Sequence, residues 1–137
     1  MKKLMFIWAF ALPLSMTAQK APEAVKKAFA AKFPNVKKVV FDKEKNGDYE
    51  GGFTVKGVKW SANFTPTGKW IETESAIPVT DLPSVVTVAI KKGHPKAEIV
   101  GAAKIETAAN GTHWEADLKT GLKSSEVIYD NSGNLVK

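Results

Sequence analysis

The residues best suited to chemistry at neutral pH are two histidines, His94 and His113, in a chain that has no cysteine. A histidine acting as a general base needs a nucleophile or reacting proton within hydrogen-bond reach, and usually an orienting partner. His94 precedes Pro95 at the expected end of a helix, and His113 opens a strand beside Trp114. No Gly-x-Ser-x-Gly elbow or Ser-x-x-Lys pattern accompanies either of them. A catalytic residue is therefore not expected, and a hydrolase built from dispersed histidine and acid residues is the weaker alternative. Asp42, Glu44, Asn46 and Gly47 imitate the start of a calcium-binding loop, but Phe53 stands where its bidentate glutamate belongs. Zinc would need ligands gathered from distant positions, with no local spacing to support it. Glu50, Glu115 and Asp117 alternate with apolar residues and read as solvent-facing strand positions. No metal site and no cofactor follow from these patterns.

The aromatic residues are more suggestive. Phe29, Phe41, Phe53, Phe64 and Trp60 fall on faces expected to fill a core. Tyr49, Trp70 and Trp114 lie near strand ends, where alternation leaves their direction open between core and surface. On an uncovered sheet face they would be candidate anchors for a partner, because buried aromatic residues carry much of the energy of protein interfaces.

The elements that must position these side chains begin after a leader. Lys2 and Lys3 precede the apolar run Leu4–Leu14, and Ser15–Gln19 is small and polar. That is the pattern of a signal peptide, and the run is shorter than the roughly 20 residues a spanning helix needs. Residues 1–19 are expected to leave, giving a product without membrane insertion in the periplasm or outside a Gram-negative cell. The rest suits one domain held by packing alone, since no disulfide can form. All positive charge comes from lysine, and the net charge of +6 falls to about +4 without Lys2 and Lys3. A chain with no arginine lacks the bidentate donor preferred for phosphate and base edges, so nucleic acid is not an expected partner.

An internal repeat organises the remainder. Ala21-Pro22 aligns with Leu82-Pro83, Phe33-Pro34 with His94-Pro95, Tyr49-Glu50 with Trp114-Glu115, and Phe64 through Gly68 with Tyr129 through Gly133. Each half opens with a helix. Val25, Ala28, Phe29 and Phe33 recur at helical spacing, as do Val86, Ala89 and Ile90. Asp81 is positioned to cap the second helix, and Gly93 with Pro95 to end it. The β-branched run Val85–Val88 favours a strand by propensity, but flanking signals and the repeat favour a helix.

Strands are expected over 36–45, 49–55, 58–64 and 70–74, with an Asn46-Gly47 hairpin between the first two. The second half repeats them over 98–107, 113–118, 122–129 and 135–136, and residues 75–80 connect the halves. The expected fold is α+β: two tandem helix-plus-antiparallel-sheet repeats, 20–78 and 79–137, side by side in one sheet with both helices on one face.

Phe-Pro or His-Pro at a helix end, Tyr/Trp-Glu in the next strand, and the turns Gly68-Lys69-Trp70-Ile71 and Gly133-Asn134-Leu135-Val136 together resemble the exported PepSY-like, β-lactamase-inhibitor-like family. The resemblance spans the chain after residue 19. It implies tandem α+β units, an envelope or secreted location, and inhibition or binding of another protein. The functional expectation is a non-enzymatic binding module. It would contact an envelope or secreted protein through the uncovered sheet face and its loops. A module that binds or senses an envelope small molecule is the alternative.

Overall fold

A computed structural model describes residues 20–136, so the leader reading for residues 1–19 lies outside the described residues. The element order is α1 (Glu23–Lys32), β1 (Val40–Lys43), β2 (Tyr49–Val55), β3 (Val58–Phe64) and β4 (Trp70–Ile77), then α2 (Ser84–Gly93), β5 (Glu98–Thr107), β6 (Gly111–Thr120) and β7 (Lys123–Asp130). A short 3₁₀ turn, Val79–Asp81, precedes α2. All seven strands form a single antiparallel sheet in chain order.

Several boundaries differ from expectation; β6 runs two residues further at each end, and β7 is displaced by one residue. The first strand is only Val40–Lys43, because the chain after α1 spends residues 33–39 leaving the helix before pairing begins. The presumed connector starts later, since Ser75, Ala76 and Ile77 continue β4 and pair with Lys104, Ala103 and Ala102. That pairing welds the two halves into one sheet. Leu135 makes a single bridge to Tyr129 in place of a strand. Asp81 belongs to the 3₁₀ turn; the cap position of α2 is Pro83, and no side chain caps it.

The two helices are built alike. Pro22 and Pro83 precede them with φ near −55°, in extended backbone. Proline at a helix start loses no hydrogen bond, because the first amides have no intrahelical acceptor anyway. Phe33 and His94 end them, each donating its backbone N–H to a carbonyl four residues back, at 2.8 and 2.7 Å. The run Val85–Val88 is helical despite its propensity, because burying Val86 and Ile90 completely outweighs the few tenths of a kcal/mol that each β-branched residue costs.

Two apolar clusters hold the helices down. Val25 and Phe29 of α1 pack with Tyr49, Phe53, Ala62 and Phe64. Phe29 is the centre of this aromatic core, with ring centroids 5.0–6.3 Å from Phe33, Phe41, Phe53 and Phe64. Val86 and Ile90 of α2 pack with Ala102, Ala116, Leu118, Val127 and Tyr129, a mostly aliphatic core. Glycine is required where turns meet helices. Gly68 has φ +88°, and a Cβ there would sit 2.6 Å from the carbonyl oxygen of Ala24; Gly133 abuts Val85 in the same way.

Strand alternation then sorts the sheet into two faces. Phe53, Trp60, Ser75, Lys104, Trp114 and Tyr129 stand in register from β2 to β7. Phe53, Trp60, Trp114 and Tyr129 in that row belong to, or pack against, the helix clusters. The alternate residues form the reverse face.

Candidate functional site: a carboxyl-lined sheet face

Three adjacent rows cross the reverse face. Glu50, Asn63, Glu72 and Thr107 form one; Glu74, Ile105, His113 and Asp130 the next; Ala76, Ala103, Glu115 and Ile128 the third. Gly101, Asp117 and Glu126 continue the series over β5–β7. Asp42 joins them from β1, opposite Glu50. By strand alternation Lys59, opposite Thr54, and Lys119, opposite Glu98, lie on the same face. A chain of net positive charge therefore collects acids on one face.

These acids are not the solvated side chains that their alternation suggested. Glu115 is 2% exposed and Glu74 is 5% exposed. Glu50, Glu72, Asp117 and Glu126 are half-buried, and Glu50 Oε2 is buried with no hydrogen-bond partner among the described residues. No donor among the described residues hydrogen-bonds to the carboxyl of Glu74 or Glu115. Loss of water disfavours the charged form, and neighbouring carboxylates add to it. Burial, then the nearby Glu74, Glu126 and Asp117, push Glu115 up to about 9. Burial and then Glu72 and Glu126 raise Glu74 to about 8. Glu50 and Glu126 rise to about 7, first through burial. Glu72 and Asp117 also move upward through burial.

The strand between them makes room. β5 presents Ala103 beside Glu115 and Gly101 beside Asp117. A Cβ on Gly101 would lie 2.5 Å from Asp117 Oδ2, so the Asp117 carboxyl folds over the bare glycine backbone. The register shifts between Ile99 and Gly101, a bulge that changes the tilt of the strand at that point. Carboxyl oxygens of Glu115, Asp117 and Glu126 all lie within 4.8 Å of one another.

The aromatic candidates sit elsewhere. Tyr49 is 8% exposed inside the α1 cluster, and Trp114 packs half-buried against the α2 cluster. Trp70 is half-buried against the α1 cluster; its Nε1 donates to Thr73 Oγ1 at 2.9 Å, and Lys32 Nζ lies 3.7 Å from its ring centroid. Trp114 Nε1 donates to Asn131 Oδ1 at 2.8 Å. Register assigns Tyr49 and Trp114 to the helix-packed rows. His94 terminates α2, and His113 lies on the reverse face opposite Asp130 in β7, so the two histidines do not form one site. Asn46 and Asp48 bond to each other in the hairpin, as its turn requires. Sequence reasoning missed Glu74 and Glu126 entirely. The available signal was the number of acids with the same strand parity, which becomes visible only once the pairing is known.

Comparison with known proteins follows the fold. Solved structures similar to the chain include one described as a "putative periplasmic" protein of Bacteroides eggerthii, with TM-score 0.76, 14% identity and coverage of 86% of this chain and 87% of that one. A DUF2874 family protein of Bacteroides ovatus aligns with TM-score 0.75 and 18% identity over 86% of each chain. A BLIP-like protein of Bacteroides fragilis gives TM-score 0.68 and 18% identity over 93% of this chain and 86% of that one. At such identities the likeness is one of fold. No curated protein sequence matches the chain. The family model described as "Putative beta-lactamase-inhibitor-like, PepSY-like" matches residues 11–56 and 48–137, and through that match the chain belongs to the PepSY-like, β-lactamase-inhibitor-like family.

Proposed function

We propose that the protein is an exported, non-enzymatic binding module that grips an envelope or secreted protein through the reverse face of its sheet and the adjoining loops. The observation that carries this reading is the segregation of acids onto one sheet face of a basic chain. A cationic partner surface would draw off the protons that burial holds on these carboxyls and pair with them, which sets its register. The family name and the neighbours described as periplasmic are in keeping with it. Among the described residues no helix is long and apolar enough to cross a membrane.

The architecture behind the proposal is a tandem repeat, 20–78 and 79–137, with both helices on the face opposite the acids. Matching proline starts, matching helix ends and paired glycine turns at Gly68 and Gly133 support it. Trp70 and Trp114, half-buried, remain candidates for the rim of the contact; Tyr49, almost wholly buried, has little surface to offer.

The test compares two charge-neutral sites with one new cation each. Ala76 is exposed on the reverse face, and Val88 is exposed on α2. The protein, purified after export and immobilised, should retain one stoichiometric envelope or secreted protein. Ala76→Arg should lose it and Val88→Arg keep it, with both variants folded by circular dichroism. Retention by Ala76→Arg, or no stoichiometric partner at all, overturns the reading.

One observation favours a second reading. Carboxyls held neutral near pH 7 are what an acid-catalysed hydrolase requires, and Glu74 and Glu115 are in that state. Hydrolysis of a glycoside or ester panel that disappears in Glu115→Gln would establish it.

A further inference from the structure

We infer that the cleft beyond the end of α1 is a binding site for a free amphipathic carboxylate, one acyl-type chain with one ionised head. The site lies on the helix side of the sheet and does not rest on the partner reading. Residues 33–38, which lead away from α1, line with β2 and β3 a cleft of about 880 Å³. Small-ligand sites of this size are concave and mostly apolar, with a few placed polar groups.

The opening follows from strand pairing. β1 meets β2 last at Val40 and Gly52, so the outer edge of β2 beyond Gly52 has no strand beside it. In the other half β5 runs on past the corresponding point, with Ile99 opposite Leu118 and Glu98 opposite Lys119. The floor is a row of rings: Phe33 and Phe53 have centroids 4.8 Å apart, and Phe53 and Trp60 6.0 Å apart. Phe53 faces Trp60 two residues before the β2–β3 turn, whereas Leu118 faces Ser125 at that place before the β6–β7 turn. Phe33 ends α1 where His94 ends α2. Phenyl and indole rings therefore gather where the other half has imidazole, leucine and serine. Phe33 and Trp60 are only half-buried, which leaves apolar area for a ligand to take out of water.

The rim supplies the charge. Lys37, Lys38 and Lys56 line the cleft and are exposed, and no acidic residue lines it. None of the three makes an ion pair among the described residues. Lys56 carries a second signal. Its φ of +50° is the left-handed backbone that strains any residue with a Cβ, and among the described residues no other non-glycine adopts it. The same position of the β6–β7 turn is Gly121, at φ +61°. Strain held where glycine would serve points to a role for the side chain, and here that side chain brings a cation to the mouth of the cleft. Lysine stems can also lie along an apolar chain while their ammonium groups meet its head. Charge complementarity thus selects an anion, and the aromatic floor selects an apolar body.

The experiment titrates the protein, purified after export, with sodium decanoate by calorimetry at neutral pH. Sodium acetate serves as the head alone, and phosphatidylglycerol vesicles as an anionic membrane. The expected result is saturable one-site binding of decanoate with Kd on the order of 10⁻⁴ M, and none of acetate. Lys56→Gly should weaken it about twofold to fivefold while Tm holds or rises, because the glycine relieves the strain. Lys37→Glu combined with Lys38→Glu should weaken it about tenfold. Lys91→Glu combined with Lys92→Glu, the same charge change on α2, and Ala76→Arg on the reverse face should leave it unchanged. Trp60→Ser, which installs the residue of the other half, should also weaken binding; should it fail to fold, the exposed lysine variants decide alone. Absence of saturable decanoate binding overturns the site. So does equal weakening by the two double variants, which would mark an effect of net charge alone. Capture by the vesicles without binding of free decanoate overturns it too, in favour of a membrane surface.

Discussion

The buried carboxyls make stability fall as pH rises through neutrality, opposite to the behaviour of most salt-bridged acids. In the unfolded chain each glutamate gives up its proton near 4.5, whereas folding holds Glu74 protonated up to about 8 and Glu115 up to about 9. A carboxyl whose folded pKa is raised contributes its full stability below the unfolded value and loses it as pH climbs toward the folded value. Between pH 6 and 7.5 the folded state therefore keeps the protons of Glu74 and Glu115, and part of those of Glu50 and Glu126, that the unfolded state has released. Each is worth about 1.36 kcal/mol per pH unit, so Glu74 and Glu115 alone could supply about 4 kcal/mol over that interval, with a smaller part added by Glu50 and Glu126. Water penetration and the mutual coupling of the cluster reduce this by roughly half, to about 2 kcal/mol. For a domain of this size that corresponds to a fall in Tm of roughly 6–10 °C. The assay is thermal unfolding followed by circular dichroism from pH 5 to 9 at constant ionic strength, without divalent ions. Glu115→Gln removes one of these titrations, so it should make the slope clearly shallower. A Tm that is level or rising between pH 6 and 7.5, or an unchanged slope in Glu115→Gln, would refute the reasoning.

Other expectations concern the scaffold. Gly68→Ala places a methyl 2.6 Å from the Ala24 carbonyl at φ +88°, and should cost about 1–3 kcal/mol in urea denaturation. Phe29→Ala empties the centre of the aromatic core and should destabilise by about 3–5 kcal/mol. Ile90→Ala, at 1% exposure under α2, should cost about 2–5 kcal/mol by the same measurement. A loss below about 1 kcal/mol at Phe29 or Ile90 would mean that the helix it anchors is not held by the cluster described.

The order of elements was legible in the chain because it rests on local physics. Helical spacing at Val25 and Phe29, period-two alternation in Val58–Phe64, and turn residues at Asn46-Gly47 and Gly57 each act within a few residues. β2, β3 and β5 coincide with their expected spans for this reason. The β-branched start of α2 was also resolved correctly, because flanking signals agreed with the other half of the chain. What local pattern could not supply was the company each strand residue keeps. Tyr49 and Glu50 are neighbours in sequence, yet one faces the α1 core and the other the acidic face.

By itself, then, the sequence determined the α+β composition, the absence of disulfides, the family resemblance and the alternating pattern of each strand, all properties of short windows. Only the tertiary structure decided that Ser75–Ile77 would join the sheet and that Tyr49 and Trp114 would pack with the helix-side residues. It also brought Glu74, Glu115, Asp117 and Glu126, drawn from three strands, together over Gly101 and Ala103. The physical reason is that alternation specifies two faces for each strand but leaves register open. Register, fixed by which apolar rows can be buried together, sets which side chains from distant parts of the chain share water, or lose it.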